Sequence, residues 1–372
     1  MAQEKSIESK GMVCIILNLM IANLFIGQVR LFSSWVGNAS WILFMLGFCL
    51  QFMIFILTAR LYRNCYQKDP LDLAKETFGL LGEIVVALAF FIYFLLSFAS
   101  LSRLYCEAIK TVLFQNSPIW YIALFFILCA GFGAHAGILS IARVSTICLP
   151  FIILLVFVVC LFNIPNVEMS NIYPILGTGR GDIFSHLPQA TGPLSEITTL
   201  YLFLPFSKKK GFPKKAGYIV LFTSGFVLLS TTLLYALTVV YPASAQYFLS
   251  MYQLSRISYI GVQIGRWEDA TEFFWTISVI LALSTKLWMA AYIFKKILRL
   301  PETKPIVWPL VVLGFAIGFF PSARNLAIEA YEDYFVNNIG WMVSLIPLFI
   351  VICYQIKRKV RGETLCSNMS EK

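Results

Sequence analysis

Charge is what this chain has least of. Only 13% of its 372 residues are charged while 59% are apolar, and mean hydropathy is +0.78. That composition lies outside the range of soluble domains and predicts a polytopic membrane protein. Histidine is nearly missing: His135 and His186 stand far apart and assemble no metal or catalytic constellation. The nine cysteines, Cys14, Cys49, Cys65, Cys106, Cys129, Cys148, Cys160, Cys353 and Cys366, form no CxxC and no Cys/His pair at ligand spacing. They read as small apolar packing residues. With no nucleophile–base arrangement at sensible spacing, an enzyme is not expected, nor a metal or a cofactor. No small-residue cleavage site follows the first apolar run, which is preceded by the mixed segment Glu4 to Lys10, so a retained helix is expected there and not a signal peptide.

Long apolar runs are what the chain has instead. Crossing roughly 30 Å of hydrocarbon as helix takes about 18 to 25 residues. Ten such spans are predicted, at 12–31, 41–60, 82–104, 118–135, 144–163, 185–206, 216–240, 273–294, 306–320 and 340–356. Five lysines in eight residues, Lys208, Lys209, Lys210, Lys214 and Lys215, fill the loop after the sixth. A loop this basic faces the cytoplasm, and every other loop follows by alternation. The inside segments then hold 21 of the 29 Lys and Arg residues and the outside segments 7, with Lys286 inside the eighth span. This bias supports both the count and an N-in, C-in topology, since a missed span would invert every later loop. The net charge of +10 reflects topology and anionic lipid, and no nucleic-acid partner is expected.

Several spans carry features that a lipid-facing helix avoids. The sixth runs Leu187-Pro188-Gln189-Ala190-Thr191-Gly192-Pro193-Leu194-Ser195-Glu196, placing two prolines, a glycine and a carboxylate where the backbone should be continuous. Pro193 removes a donor and clashes with the preceding turn. Freed backbone groups at membrane depth are tolerated where other helices or a wet cavity satisfy them, so the break marks either a binding cavity or a packing kink. The first span has a weaker interruption at Gly27 and Gln28. If the chain is two inverted five-span repeats, these spans are counterparts, and paired broken helices mark the ligand site of such folds.

Glu196 lies well inside its span, where a charge costs at least about 2.5 to 3.5 kcal/mol, so it should face protein or water. Lys286, in Leu283-Ser284-Thr285-Lys286, raises the same question with opposite sign. It either takes an internal role, replacing a cation, bonding broken-helix carbonyls or partnering Glu196, or reaches toward the headgroups. Tyr93 and Ser97, four residues apart on one face, could present hydroxyls to a cavity, although such residues also pack or bond their own helix.

The loops resemble a known family. Asp69-Pro70-Leu71-Asp72-Leu73-Ala74-Lys75-Glu76-Thr77-Phe78-Gly79 is similar to the cytoplasmic helix of the spore germination receptor B subunits, the GerAB family of the amino acid-polyamine-organocation superfamily. Asn171-Ile172-Tyr173-Pro174-Ile175-Leu176-Gly177-Thr178-Gly179 resembles the family's N-x-x-P-x-L-G-x-G pattern, and Leu202-Phe203-Leu204-Pro205 with the following lysines is a third match. Gly265-Arg266-Trp267-Glu268-Asp269 resembles its E-R-x-E motif, with Arg266 and Glu268 in place and Gly265 where the first glutamate is expected. Glu196 occupies the place of a family glutamate. The superfamily's glycine-rich unwinding of the first span is reduced to Gly27, and Lys286 is a charge the family does not lead one to expect.

The resemblance implies an all-α polytopic membrane protein of about ten transmembrane helices in an inverted five-plus-five repeat, LeuT-like, N-in and C-in. It forms a single membrane domain, with repeats over about 12–163 and 185–356 and a cytoplasmic tail at 357–372. It further implies a germinant-sensing subunit in the inner membrane of the spore, working with A-type and C-type receptor subunits. A small-molecule germinant such as an amino acid is expected at Gly27, Gln28, Tyr93, Ser97, Gly192, Pro193, Ser195, Glu196, Thr285 and Lys286. The alternative is a proton- or cation-coupled amino-acid transporter of the same superfamily.

Overall fold

The structure is a computed structural model and describes residues 7–23, 27–65, 68–207, 214–258, 267–321, 323, 326, 327, 331 and 337–360. Its helices are α1 (Ser9–Asn23), α2 (Val29–Val36), α3 (Ser40–Leu61), α4 (Pro70–Val112), α5 (Ile119–Ala136), α6 (Ile138–Phe162), α7 (Arg180–Ser185), α8 (Thr199–Leu202), α9 (Lys214–Thr238), α10 (Ser250–Ile257), α11 (Trp267–Leu298), α12 (Lys304–Gly318) and α13 (Asn337–Val360). A stretch of 3-10 helix, Gln189–Thr198, leads into α8. Seven helical stretches are long and apolar enough to cross a membrane, and α1 and α12 are shorter apolar helices. With the 3-10 segment, each of the ten predicted spans has its counterpart.

Two differences from the sequence reading matter. The first span is interrupted at Gly27, between α1, described to Asn23, and α2 from Val29; Gly27 has φ 64°, in the left-handed region where a side chain would be strained. The third span is joined end to end with the cytoplasmic helix before it, so that one helix, α4, starts at Pro70. Asp69 caps α4, accepting from the Asp72 amide at 2.8 Å with Pro70 at the first position, and the only non-helical residue within α4 is Gly79, at φ 79°. Residues 70–78 are thus a separate cytoplasmic turn of helix joined to the span at a glycine kink.

The core forms around α11. Of its most apolar stretch 83% is buried, against 33% in α6 and α13, so α11 is the central post and those two face lipid. Large side chains on the outer helices, such as Phe132, Phe151 and Phe226, remain exposed, as a hydrocarbon solvent allows. Asn18 and Ser278 fix α1 to α11 by a reciprocal pair: Asn18 Nδ2 donates to the Ser278 carbonyl and Ser278 Oγ to Asn18 Oδ1, both at 2.9 Å. Gly47 brings α3 against the broken sixth span, since a Cβ there would lie 2.8 Å from the Ala190 backbone. Close approach at small residues replaces the hydrophobic drive that lipid removes.

The cytoplasmic side is tied shut. Lys296 of α11 donates to both carboxylate oxygens of Asp69 at 2.8 Å and pairs with Asp72 at 2.7 Å, and Tyr292 donates to Asp69 at 3.1 Å. Lys357 of α13 caps the other end of the 70–78 helix, donating to the carbonyls of Glu76 at 2.9 Å and Thr77 at 2.6 Å. Burial pushes the Asp69 carboxyl up to about 6 while Lys296 pulls it down. Lys208, Lys209 and Lys210, which orient the topology, lie outside the described residues, as does most of the predicted tail.

Candidate functional site

Both broken helices meet at the centre of the bundle. In the sixth span the chain runs as consecutive 3-10 turns around Pro193, and Ser195 Oγ donates to the Gly192 carbonyl at 2.6 Å. Thr191 does the same for the Pro188 carbonyl at 2.7 Å. Both hydroxyls find their acceptors within the segment itself, on the carbonyl three residues back. The break turns Glu196 inward, to 2% exposure.

Lys286 of α11 meets it there. Its ammonium donates to Glu196 Oε1 and to Ser97 Oγ of α4, and it is itself 2% exposed. Tyr93, one turn before Ser97, places its hydroxyl 3.5 Å from Ser195 Oγ. One triangle of contacts therefore joins α4, the broken sixth span and α11. Lys286 takes the internal role and partners Glu196. The reach toward headgroups is overturned by geometry, because the ammonium is held from two sides at the bundle centre. Glu196 Oε2 and Gln28 Oε1 are buried without a hydrogen-bond partner among the described residues and face the same space.

That space is a cavity of about 40 Å³, room for about three waters. Gln28, Tyr93, Ser97, Gly192, Pro193, Ser195, Glu196 and Lys286 line it. Of the other expected residues, Gly27 lies in the adjoining break and Thr285 turns away, its hydroxyl bonded to the Leu281 carbonyl of its own helix at 2.8 Å. Asn23, Leu31, Ser100, Leu101, Leu104 and Gly340 also line the cavity, and sequence reasoning missed them. For Ser100, Leu101 and Leu104 the signal was available, since they share α4 with Tyr93 and Ser97 at helical spacing. Gly340 carried no such signal, because its place depends on how α13 packs over the sixth-span break.

The charged outer motif divides. Arg266 lies outside the described residues, while Glu268 lines a hollow of about 510 Å³ at the outer end, with Arg256, Tyr252 and Gln115. The arrangement at the centre presents two paired charges of opposite sign to a small cavity between α4, the sixth span and α11.

Comparison with known proteins gives the same picture. A family model described as spore germination protein matches residues 6–327, and the chain belongs to this family. It is 25% identical over 334 residues to spore germination protein A2 of Bacillus subtilis strain 168, covering 86% of this chain and 87% of that protein. It is 21% identical over 324 residues to spore germination protein B2 of the same organism, covering 84% and 87%. The solved structure of Mhp1, a nucleobase-cation-symport-1 family transporter, in a closed conformation with bromovinylhydantoin bound, matches with a TM-score of 0.63 at 13% identity. The match covers 98% of this chain and 95% of that one. The fold is therefore the helical transporter fold that the family resemblance implied.

Proposed function

We propose that this member of the spore germination protein family is the germinant-sensing membrane subunit of a receptor, binding a small molecule such as an amino acid in the central cavity and so triggering germination. One observation carries the reading: the two helix breaks converge on a small cavity whose charged lining residues, among the described ones, are Glu196 and Lys286, paired with each other. About 40 Å³ admits no nutrient, so a ligand enters by separating the pair. A cationic or anionic ligand would leave one charge buried and unmatched, whereas an amino-acid zwitterion offers an anion to Lys286 and a cation to Glu196. Exchange of partners keeps the site neutral and pushes the sixth span away from α11. A ligand shifts a two-state protein only by its differential affinity for the two states, and separation of these elements supplies that difference.

In this reading the protein sits in the inner membrane of the spore with A-type and C-type receptor subunits, which the family resemblance supports. The chain is one membrane domain, with repeats at about 12–163 and 185–356 and the tail from 357 in the cytoplasm. Germination across a nutrient panel, followed by loss of spore refractility, tests it: deletion and Glu196→Gln should abolish the response to the same nutrient. A normal response in the deletion strain would refute it.

The likeness to a transporter fold favours a second reading, a proton- or cation-coupled amino-acid transporter. Uptake of labelled amino acids into vesicles containing this chain alone would select it.

A further inference from the structure

A second carboxylate is buried on α11, and no function so far absorbs it. Glu272 lies 14 residues before Lys286 in α11, about 21 Å toward the outside at 1.5 Å per residue. It is 2% exposed, and no cation pairs with it among the described residues. Its Oε1 is 3.0 Å from the hydroxyl of Tyr105 on α4, that hydroxyl is 2.7 Å from Thr276 Oγ1, and Thr276 Oγ1 is 2.9 Å from the Glu272 backbone carbonyl. Glu272 Oε2 is buried and has no hydrogen-bond partner among the described residues.

Counting protons along this chain of contacts selects a protonation state. Tyr105 and Thr276 have one hydroxyl proton each. If Glu272 is an acid, it donates to Tyr105, Tyr105 donates to Thr276, and Thr276 donates to the Glu272 carbonyl, so all three contacts are hydrogen bonds. If Glu272 is ionised, the two hydroxyl protons cover only two of the three. A full negative charge is then left with one donor and an empty oxygen in a dry seam, the arrangement that buried carboxylates avoid by taking up a proton.

The surroundings agree. From α4, Arg103 is paired with Glu107 at 2.8 Å and lies over the Phe319 ring, so neither residue serves Glu272. Cys106 of α4 is buried beside Tyr105. α5 brings the Phe126 ring edge-on to Tyr105 at 5.2 Å, and its Tyr121 is exposed. α10 brings Tyr252 and Arg256, and α11 itself Glu268 and Asp269, which stand between Glu272 and the outer surface. The outer turns of α1 and α12 carry no ionisable side chain, and α6 carries only Cys160.

We propose that Glu272 is a proton-binding site: in the closed state its carboxyl is protonated and ties α11 to α4 through Tyr105 and Thr276, and release of that proton toward the outside loosens the seam above the central cavity. Leu101 and Leu104, on the cavity wall, share this stretch of α4 with Tyr105, so the seam and the cavity move together. The site stands whether the central cavity takes a germinant or a transported solute.

Infrared spectroscopy of the full chain in lipid, titrated from acid to alkaline, reads the site without any ligand. Wild type should show the carbonyl band of a buried carboxylic acid at neutral pH, bleached by alkali, lost in Glu272→Gln and kept in Glu196→Gln. Tyr105→Phe should shift the band without removing it, which decides the case if Glu272→Gln does not fold. Thermal stability should fall on alkalinisation in wild type and stay level in Glu272→Gln. Absence at neutral pH of any acid band that responds to Glu272→Gln or Tyr105→Phe overturns the proposal, as does an equal alkaline loss of stability in wild type and Glu272→Gln.

Discussion

Lys286 and Lys296 stand ten residues apart on α11 and each is paired with carboxylates, yet the two pairs do opposite things. At the membrane centre Lys286 and Glu196 are both 2% exposed, with one carboxylate and one hydroxyl around the ammonium. At the cytoplasmic end Lys296 keeps 21% of its side chain in water and is shared by Asp69 and Asp72. Water and a surplus of acceptors make the second pair a clamp that tolerates the loss of a member. The first has no such reserve, and a charge freed there finds another partner or drives a rearrangement. That intolerance is what the proposed ligand-driven separation of the pair requires.

The sharpest way to break the comparison is to remove one member of each pair. Glu196→Gln or Lys286→Met alone leaves the other charge buried and should cost about 3 to 5 kcal/mol. The double variant should recover most of that loss in thermal unfolding of the lipid-embedded protein. Equal instability of single and double variants would show that the centre does not depend on charge matching. Lys296→Met should cost less, about 1.5 to 3 kcal/mol, because Tyr292 and the Asp72 amide still donate to the buried Asp69 carboxyl.

Titration separates the regions further. The Asp69 carboxyl is raised from an ordinary 3.8 to about 6, so the folded chain holds that proton more tightly than the unfolded chain. Stability of wild type relative to Asp69→Asn should therefore rise as pH falls through 6 toward 3.8, and stay constant above that window. A difference that shrinks on acidification would mean that the ion pair with Lys296 outweighs burial.

The smallest effect on stability is expected at Gly340. A Cβ there would meet Ser195 Oγ at 3.4 Å and Gly192 at 3.6 Å, ordinary contacts that need no rearrangement. Gly340→Ala should leave unfolding within about 0.5 kcal/mol of wild type. It should still weaken ligand binding, because the methyl group takes room from a cavity of about 40 Å³. Unchanged affinity in this variant would place the ligand away from the sixth-span break.

Much of the molecule was legible beforehand, for specific reasons. Span count and topology follow from apolar run length and from the lysine bias, which depend on local composition alone. The sixth-span break was legible because Pro193 cannot continue a helix wherever it is placed. Glu196 and Lys286 stood out because charges in hydrocarbon are costly in any fold. The break in the first span was under-read, since a single glycine permits a left-handed turn without requiring one. Glu272 escaped notice because it lies at the predicted start of its span, where a carboxylate is usually wet; only the position of Tyr105 on the facing helix shows that it is dry.

By itself the sequence determined a ten-span membrane protein with its basic loops inside, a break in the sixth span and two charges that had to be sheltered, because each of these is a cost set by the solvent around a single segment. Tertiary structure alone decided that Lys286 reaches Glu196 and Ser97, that Thr285 turns away, that Gly340 lies against the sixth-span break and that Asp69 is gripped by Lys296. Those outcomes depend on how helices far apart in sequence rotate and pack against each other. That rotation is set by where small residues let backbones approach, information that no single segment carries.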